Sequence, residues 1–142
     1  MKGFQNVKVV NMIAGEDLRG DVYELLHVEN DGDVGKVIKT TAVTNSPIGV
    51  LAEEPRTDVT TDGLAVPVAV IGAGGIGLMK AGASVTAGQL IVPDTTAGRV
   101  AGVTGVGALA VDSMAVGIAL ESAADGDIFP VLFMTVAAPH SA

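Results

Sequence analysis

The chain has 142 residues, 49% hydrophobic but only 3% aromatic, with 22 Val, 20 Ala and 19 Gly and neither Cys nor Trp. The lack of cysteine excludes a disulfide framework, a cysteine nucleophile and a thiolate metal site, while a mean hydropathy of +0.52 excludes a disordered polymer. The net charge is −8 and Lys and Arg form no cluster, which excludes the basic surface that phosphate contacts need, so no nucleic-acid partner is expected.

Residues 1–12 form an N-terminal segment in which Val7 and Val9 alternate with polar neighbours, beside Lys2 and Phe4. It is either an arm that adds a strand to another protein's sheet edge or the first strand of the fold itself. Asn11 and Glu16 interrupt it before an apolar run long enough for a signal peptide develops. No later stretch reaches the ~18 uninterrupted apolar residues of a spanning helix, so a soluble chain away from membranes is expected. Asp17 to Val28 carries Leu18, Val22, Leu25 and Leu26 at helical spacing, but Gly20 within it costs about 1 kcal/mol relative to Ala in a helix. Strand is favoured there.

The predicted strands are Val22–Val28, Gly35–Val43, Ile48–Glu53 and Leu64–Ile71, then Gln89–Val92, Gly98–Val103, Ala115–Glu121 and Ile128–Val136. They are short β-branched runs bounded by turn signals at 30–33, 60–63, 94–98 and 124–127. This spacing predicts an all-β fold, a small barrel or sandwich with little helix.

Self-comparison divides the chain further. A shift of 68 residues lays Asn45–Glu53 over Ser113–Glu121, with Gly49 on Gly117 and Glu53 on Glu121, and puts Gly20 on Gly88 and Val22 on Leu90. A shift of 63 lays Val66-Pro67-Val68 over Phe129-Pro130-Val131 and Gly35-Lys36-Val37 over Gly98-Arg99-Val100. Two related β-rich repeats are expected, at 13–76 and 77–137, with a tail at 138–142. Pro67 and Pro130 lack the N–H of a ladder, which predicts sheet edges or bulges. Edges invite partner chains, so Val66, Pro67, Val68, Phe129 and Pro130 are candidates for an oligomer interface. A strand buried on both sides within one chain is the equal alternative.

Motifs for chemistry are sparse. Gly72-Ala-Gly74-Gly-Ile-Gly77 matches G-x-G-x-x-G after an apparent strand, with Asp94 further on. A dinucleotide site would need a helix next, and Gly82, Ser84, Val85, Thr86 and Gly88 disfavour one. Lys80 ahead of Gly88-Gln89 resembles part of a biotinyl or lipoyl carrier domain, but lies too close to that turn. His27 and His140 have no serine-and-acid arrangement, and no serine sits in a G-x-S-x-G elbow. Asp31, Asp33, Asp125 and Asp127 lack the alternating oxygens of a calcium loop, and Glu53 and Glu121 suit solvated strand ends better than an acid/base pair. No metal, no cofactor and no enzymatic activity are expected.

The stretch Gly77-Leu-Met-Lys-Ala-Gly-Ala-Ser-Val-Thr-Ala-Gly-Gln-Leu-Ile-Val-Pro-Asp-Thr-Thr-Ala-Gly-Arg-Val100 resembles the middle of capsid decoration (cement, head-stabilising) proteins of tailed bacteriophages. Val116-Gly-Ile-Ala-Leu-Glu-Ser-Ala-Ala-Asp-Gly-Asp-Ile128 resembles their C-terminal hairpin, and Ala14-Gly-Glu-Asp-Leu18 and Ile48–Pro55 their N-terminal half. The polar Asp21–Asp33 region and the inserted Thr104–Asp112 depart from the pattern. The resemblance implies a structural virion protein, made in the host cytoplasm, that coats the outer capsid surface. It would bind the major capsid protein, as a homotrimer, and bridge its subunits. Lys2, Phe4, Val7 and Val9 are the candidate capsid-binding residues. The alternatives are a non-viral β-rich assembly or shell module, or a small dinucleotide-binding protein using Gly72–Gly77.

Overall fold

The computed structural model describes residues 4–41, 46–55, 58–110 and 113–137. The chain is all-β. Its strands are β1 (Lys8–Ile13), β2 (Leu25–Asp31), β3 (Val34–Lys39), β4 (Gly49–Leu51), β5 (Ala65–Val70), β6 (Ile76–Lys80), β7 (Leu90–Pro93), β8 (Val100–Val103), β9 (Met114–Ala119) and β10 (Ile128–Ala137). They make two five-stranded antiparallel sheets, ordered β1-β5-β4-β2-β3 and β6-β10-β9-β7-β8. The second order repeats the first, strand for strand.

Each sheet curls until its outer strands meet. Ala14 forms a parallel bridge to Val37 in the first, and Ala81 to Val100 in the second. The Gly15 N–H donates to the Val37 carbonyl at 2.8 Å and the Gly82 N–H to the Val100 carbonyl at 2.8 Å. The result is two small barrels, each nearly without free edges, which is how antiparallel architectures avoid stray pairing.

Matching hydrogen bonds give the equivalences residue by residue. Gly49 pairs with Val70 as Gly117 pairs with Phe133, and Leu25 pairs with Val50 as Leu90 pairs with Ile118. The repeated glycine has a physical cause. A Cβ at Gly49 would collide with the Ala69 carbonyl, and one at Gly117 with the carbonyl of the equivalent Leu132. The expected match of Gly20 to Gly88 is wrong. Tyr23, at φ 65°, holds the place of Gly88, at φ 91°, and each donates its N–H at 2.8 Å, to Leu51 and Ala119 respectively. Val22 on Leu90 fails with it, because the loops before β2 and β7 differ in length and no single shift spans them.

The prolines are equivalent but not at edges. β5 lies between β1 and β4, and β10 between β6 and β9. β4 ends at Leu51 and β9 at Ala119, and the next residue of each still donates to the proline carbonyl: Ala52 to Pro67 at 2.9 Å and Leu120 to Pro130 at 3.0 Å. The missing N–H therefore falls at the last pair of each ladder, where only the reciprocal bond of that pair is lost. The bulge of β10 falls between Phe133 and Val136, away from Pro130.

Alternate residues fill the two interiors. Ala14, Leu18, Leu26, Val37, Leu51, Val66 and Val68 form the core of the first barrel. Met79, Ile91, Val100, Phe129, Val131 and Phe133 belong to a larger cluster that also takes in Leu25, Val50, Ala52, Ala69 and Ile71 from the outer wall of the first barrel. At about 1.5–3 kcal/mol for each fully buried large aliphatic side chain, this shared cluster welds the two barrels. The backbone adds a seam, in which Gln5 and Ile76 exchange hydrogen bonds of 2.7 and 2.8 Å and the Leu25 N–H donates to Gly98 at 2.7 Å.

Candidate binding surface

The N-terminal candidates divide into two groups, with Lys2 outside the described residues. Phe4 is half-buried, edge-on to Tyr23 with ring centroids 5.8 Å apart. Phe4 and Val7 both pack against the shared cluster. Val9 is different, being 50% exposed on β1, where it pairs with Ala69. Lys8, Asn11 and Ile13 on the same strand are also exposed. β1 is therefore a strand integrated in a sheet whose side chains remain available to a partner.

Val66, Val68 and Phe129, put forward for an oligomer interface, are 2%, 0% and 2% exposed. Pro130 is buried too, and Pro67 half-buried. The side chains of Val66, Val68, Phe129 and Pro130 fill the chain's own interior and form no free surface, while Pro67 keeps part of its ring at the surface. The signal that misled was an all-apolar strand, which suits a barrel wall packed on both faces.

The glycine-rich motif builds no dinucleotide site. A 3-10 turn at Ile71–Ala73 leads directly into β6, where that site needs a helix. Gly77 is a glycine because the Phe133 ring lies over it and would overlap a Cβ. Asp94 accepts the Thr96 N–H at 3.3 Å and closes its own turn.

The remaining polar candidates are dispersed. His27 is buried in β2 with Nε2 3.6 Å from Glu29. Asp31 pairs with Lys36 at 2.8 Å, Asp125 with Arg99 at 3.4 Å, and Asp127 accepts the Ala124 N–H at 3.0 Å. Among the described residues no three His, Asp or Glu gather as a metal site. Nor is any helix there long and apolar enough to cross a membrane. A groove of about 230 Å³ runs beside Glu53, Glu54, Thr61, Leu64 and Pro67; the Glu54 carboxylate on its rim accepts the Gly20 N–H at 2.5 Å.

One polar cluster was not legible in the sequence. Glu24 is 5% exposed at the seam, against Gly98. Burial pushes its carboxyl up to about 7, with a hydrogen bond and charge from Asp21 acting the same way and Lys80 and Lys39 opposing. Lys39 reaches Asp21 at 3.4 Å. The cluster joins residues of both barrels, so its place is structural, at the joint between them.

No family model matches the chain, and no curated protein matches its sequence. In fold it is similar to the crystal structure of the N base of head fiber gp8.5 in bacteriophage phi29. The TM-score is 0.63 at 16% identity, covering 90% of this chain and 94% of that one. The likeness is one of fold.

Proposed function

We propose that this protein is a structural component of a bacteriophage head, carried on the outer surface of the capsid. The observation that carries the reading is the fold shared, nearly end to end, with the base of a phage head fiber. The acidic balance agrees with it, since a chain of net charge −8 suits the outside of a shell better than its DNA-filled interior. In the finer form of the proposal the partner is the major capsid protein and the chain binds as a homotrimer. It bridges neighbouring subunits and stabilises the head without catalysing a reaction. Many modest contacts repeated over a lattice give avidity beyond any single contact.

The surface we assign to the capsid is the outward side of β1, centred on Val9. Removing residues 1–10 would be a poor test, because it deletes half of β1 and the Phe4 and Val7 packing along with it. The clean test mixes the purified chain with heads assembled from the major capsid protein encoded in the same genome, then sediments the particles. Saturable co-sedimentation, with heads that hold their DNA better on heating, is expected. A chain that stays in the supernatant at every concentration overturns the proposal.

A further inference from the structure

The two barrels bury the same wall differently, and one is left open. The outer wall of the first barrel presents Leu25, Val50, Ala52, Ala69 and Ile71, which are 0%, 0%, 8%, 0% and 1% exposed because the second barrel packs on them. The hydrogen-bond equivalences carry these positions onto Leu90, Ile118, Leu120 and Leu132, with Met134 two residues further on. In the second barrel Leu120, Leu132 and Met134 are 43%, 38% and 37% exposed. The inserted segment shields only one end, where Leu109 packs with Leu90, Val92, Val103 and Val136.

We propose that this open wall of the second barrel is the docking surface for a second copy of the chain. The internal packing is the precedent, since a copy of the same fold already covers the equivalent wall at the equivalent positions. A contact that joins unlike faces leaves one face unused at the end of the row, and another chain can take it. Charge leaves this wall as the place where a second copy meets least repulsion. Two chains of net charge −8 repel over most of their surfaces, and none of these five side chains is charged. A contiguous apolar patch rimmed by polar residues is a recognised mark of protein association. The inference deepens the assembly part of the function proposed above, and is tested without the particle.

The experiment is sedimentation of the free protein from micromolar to millimolar concentration, comparing wild type with Leu132→Glu/Met134→Glu. Wild type should rise above the mass of one chain, and the double variant should stay at one chain with its melting temperature unchanged. Because the chain has no cysteine, Leu132→Cys supplies a single thiol. Its reaction with a maleimide should slow about tenfold once most chains are paired, while Val28→Cys on the first barrel should react at a constant rate. A wild type that remains one chain throughout, or a double variant that keeps the higher mass, overturns the inference. Should the double variant unfold, the Leu132→Cys rate decides alone, constant reactivity counting against the inference. A chain that is monomeric in solution yet co-sediments with heads removes this docking surface and leaves the head assignment standing.

Discussion

Gly98 lies against Glu24 across the seam between the barrels, so closely that a Cβ on Gly98 would stand 2.8 Å from the Glu24 Cβ. Its N–H donates to Thr40 at 2.8 Å and its carbonyl accepts from Leu25 at 2.7 Å. This turn of the second barrel thus bonds to two strand ends of the first. At φ 76° it also adopts a backbone conformation that L side chains rarely take. Gly98→Ala should therefore cost about 2–4 kcal/mol, backbone strain and overlap together. Gly126→Ala, at φ 88° with open space around the added carbon, should cost only about 1 kcal/mol. Urea melts of the two variants check the difference.

Glu24 makes stability depend on pH. Its carboxyl ionises near 4.5 when unperturbed but at about 7 in the folded chain, so between these values the folded state holds a proton that the unfolded state has released. The stabilisation is full below about 4.5 and is lost as pH rises through about 7. From about pH 5 to about pH 7.5 wild type should lose on the order of 1–3 kcal/mol relative to Glu24→Gln, which cannot ionise there. Asp17, which the Arg19 hydrogen bond holds down at about 2, acts in the opposite sense and only below its usual 3.8, outside this window. Denaturant midpoints of both proteins across that range give the measurement.

Phe133 and Gly77 should behave as one unit. Phe133→Ala removes a ring that is 2% exposed and should cost about 3–5 kcal/mol. Gly77→Ala drives a methyl into that ring and should destabilise severely. Together the two changes should cost less than their sum by about 1–3 kcal/mol, because the methyl enters the space the ring vacates. Strict additivity in a double-mutant cycle would contradict the packing described.

Val9→Asp should leave the fold nearly untouched, within about 0.5 kcal/mol, since the side chain is 50% exposed. Binding to heads should fall at least about tenfold if β1 faces the capsid. Ordinary binding by a normally folded variant would move the contact elsewhere on the surface.

The sequence makes the strands legible wherever β-branched runs end in turn residues. Six of the eight strands expected from it overlap their counterparts closely; Val22–Val28 is real but begins at Leu25, and Gly35–Val43 is real but its strand ends at Lys39. β6 escaped notice because its start is part of a glycine-rich run that imitates a nucleotide loop, and glycine gives no periodicity to read. Sequence self-comparison found the duplication from Gly49 and Gly117, where a carbonyl forbids a side chain in both copies. It misplaced Gly20 because tyrosine can occupy the left-handed position that Gly88 fills, and nothing in the residue type announces that. Pro67 and Pro130 were misassigned for a different reason. What matters is where the neighbouring strand stops, which is a property of β4 and β9. The binding surface was the least legible part, since Leu25 and Leu90 are alike as letters and only packing decides which is covered.

The welded joint between the barrels also governs how the molecule comes into being. Leaving the ribosome, the first half has its ladder complete but exposes Leu25, Val50, Ala69 and Ile71 until the second half is made, and Gln5 waits for Ile76. Neither half is a finished object by itself. Because one buried cluster spans both halves, the two should melt in a single calorimetric transition, and a truncated product, with that apolar wall uncovered, should be cleared by proteases.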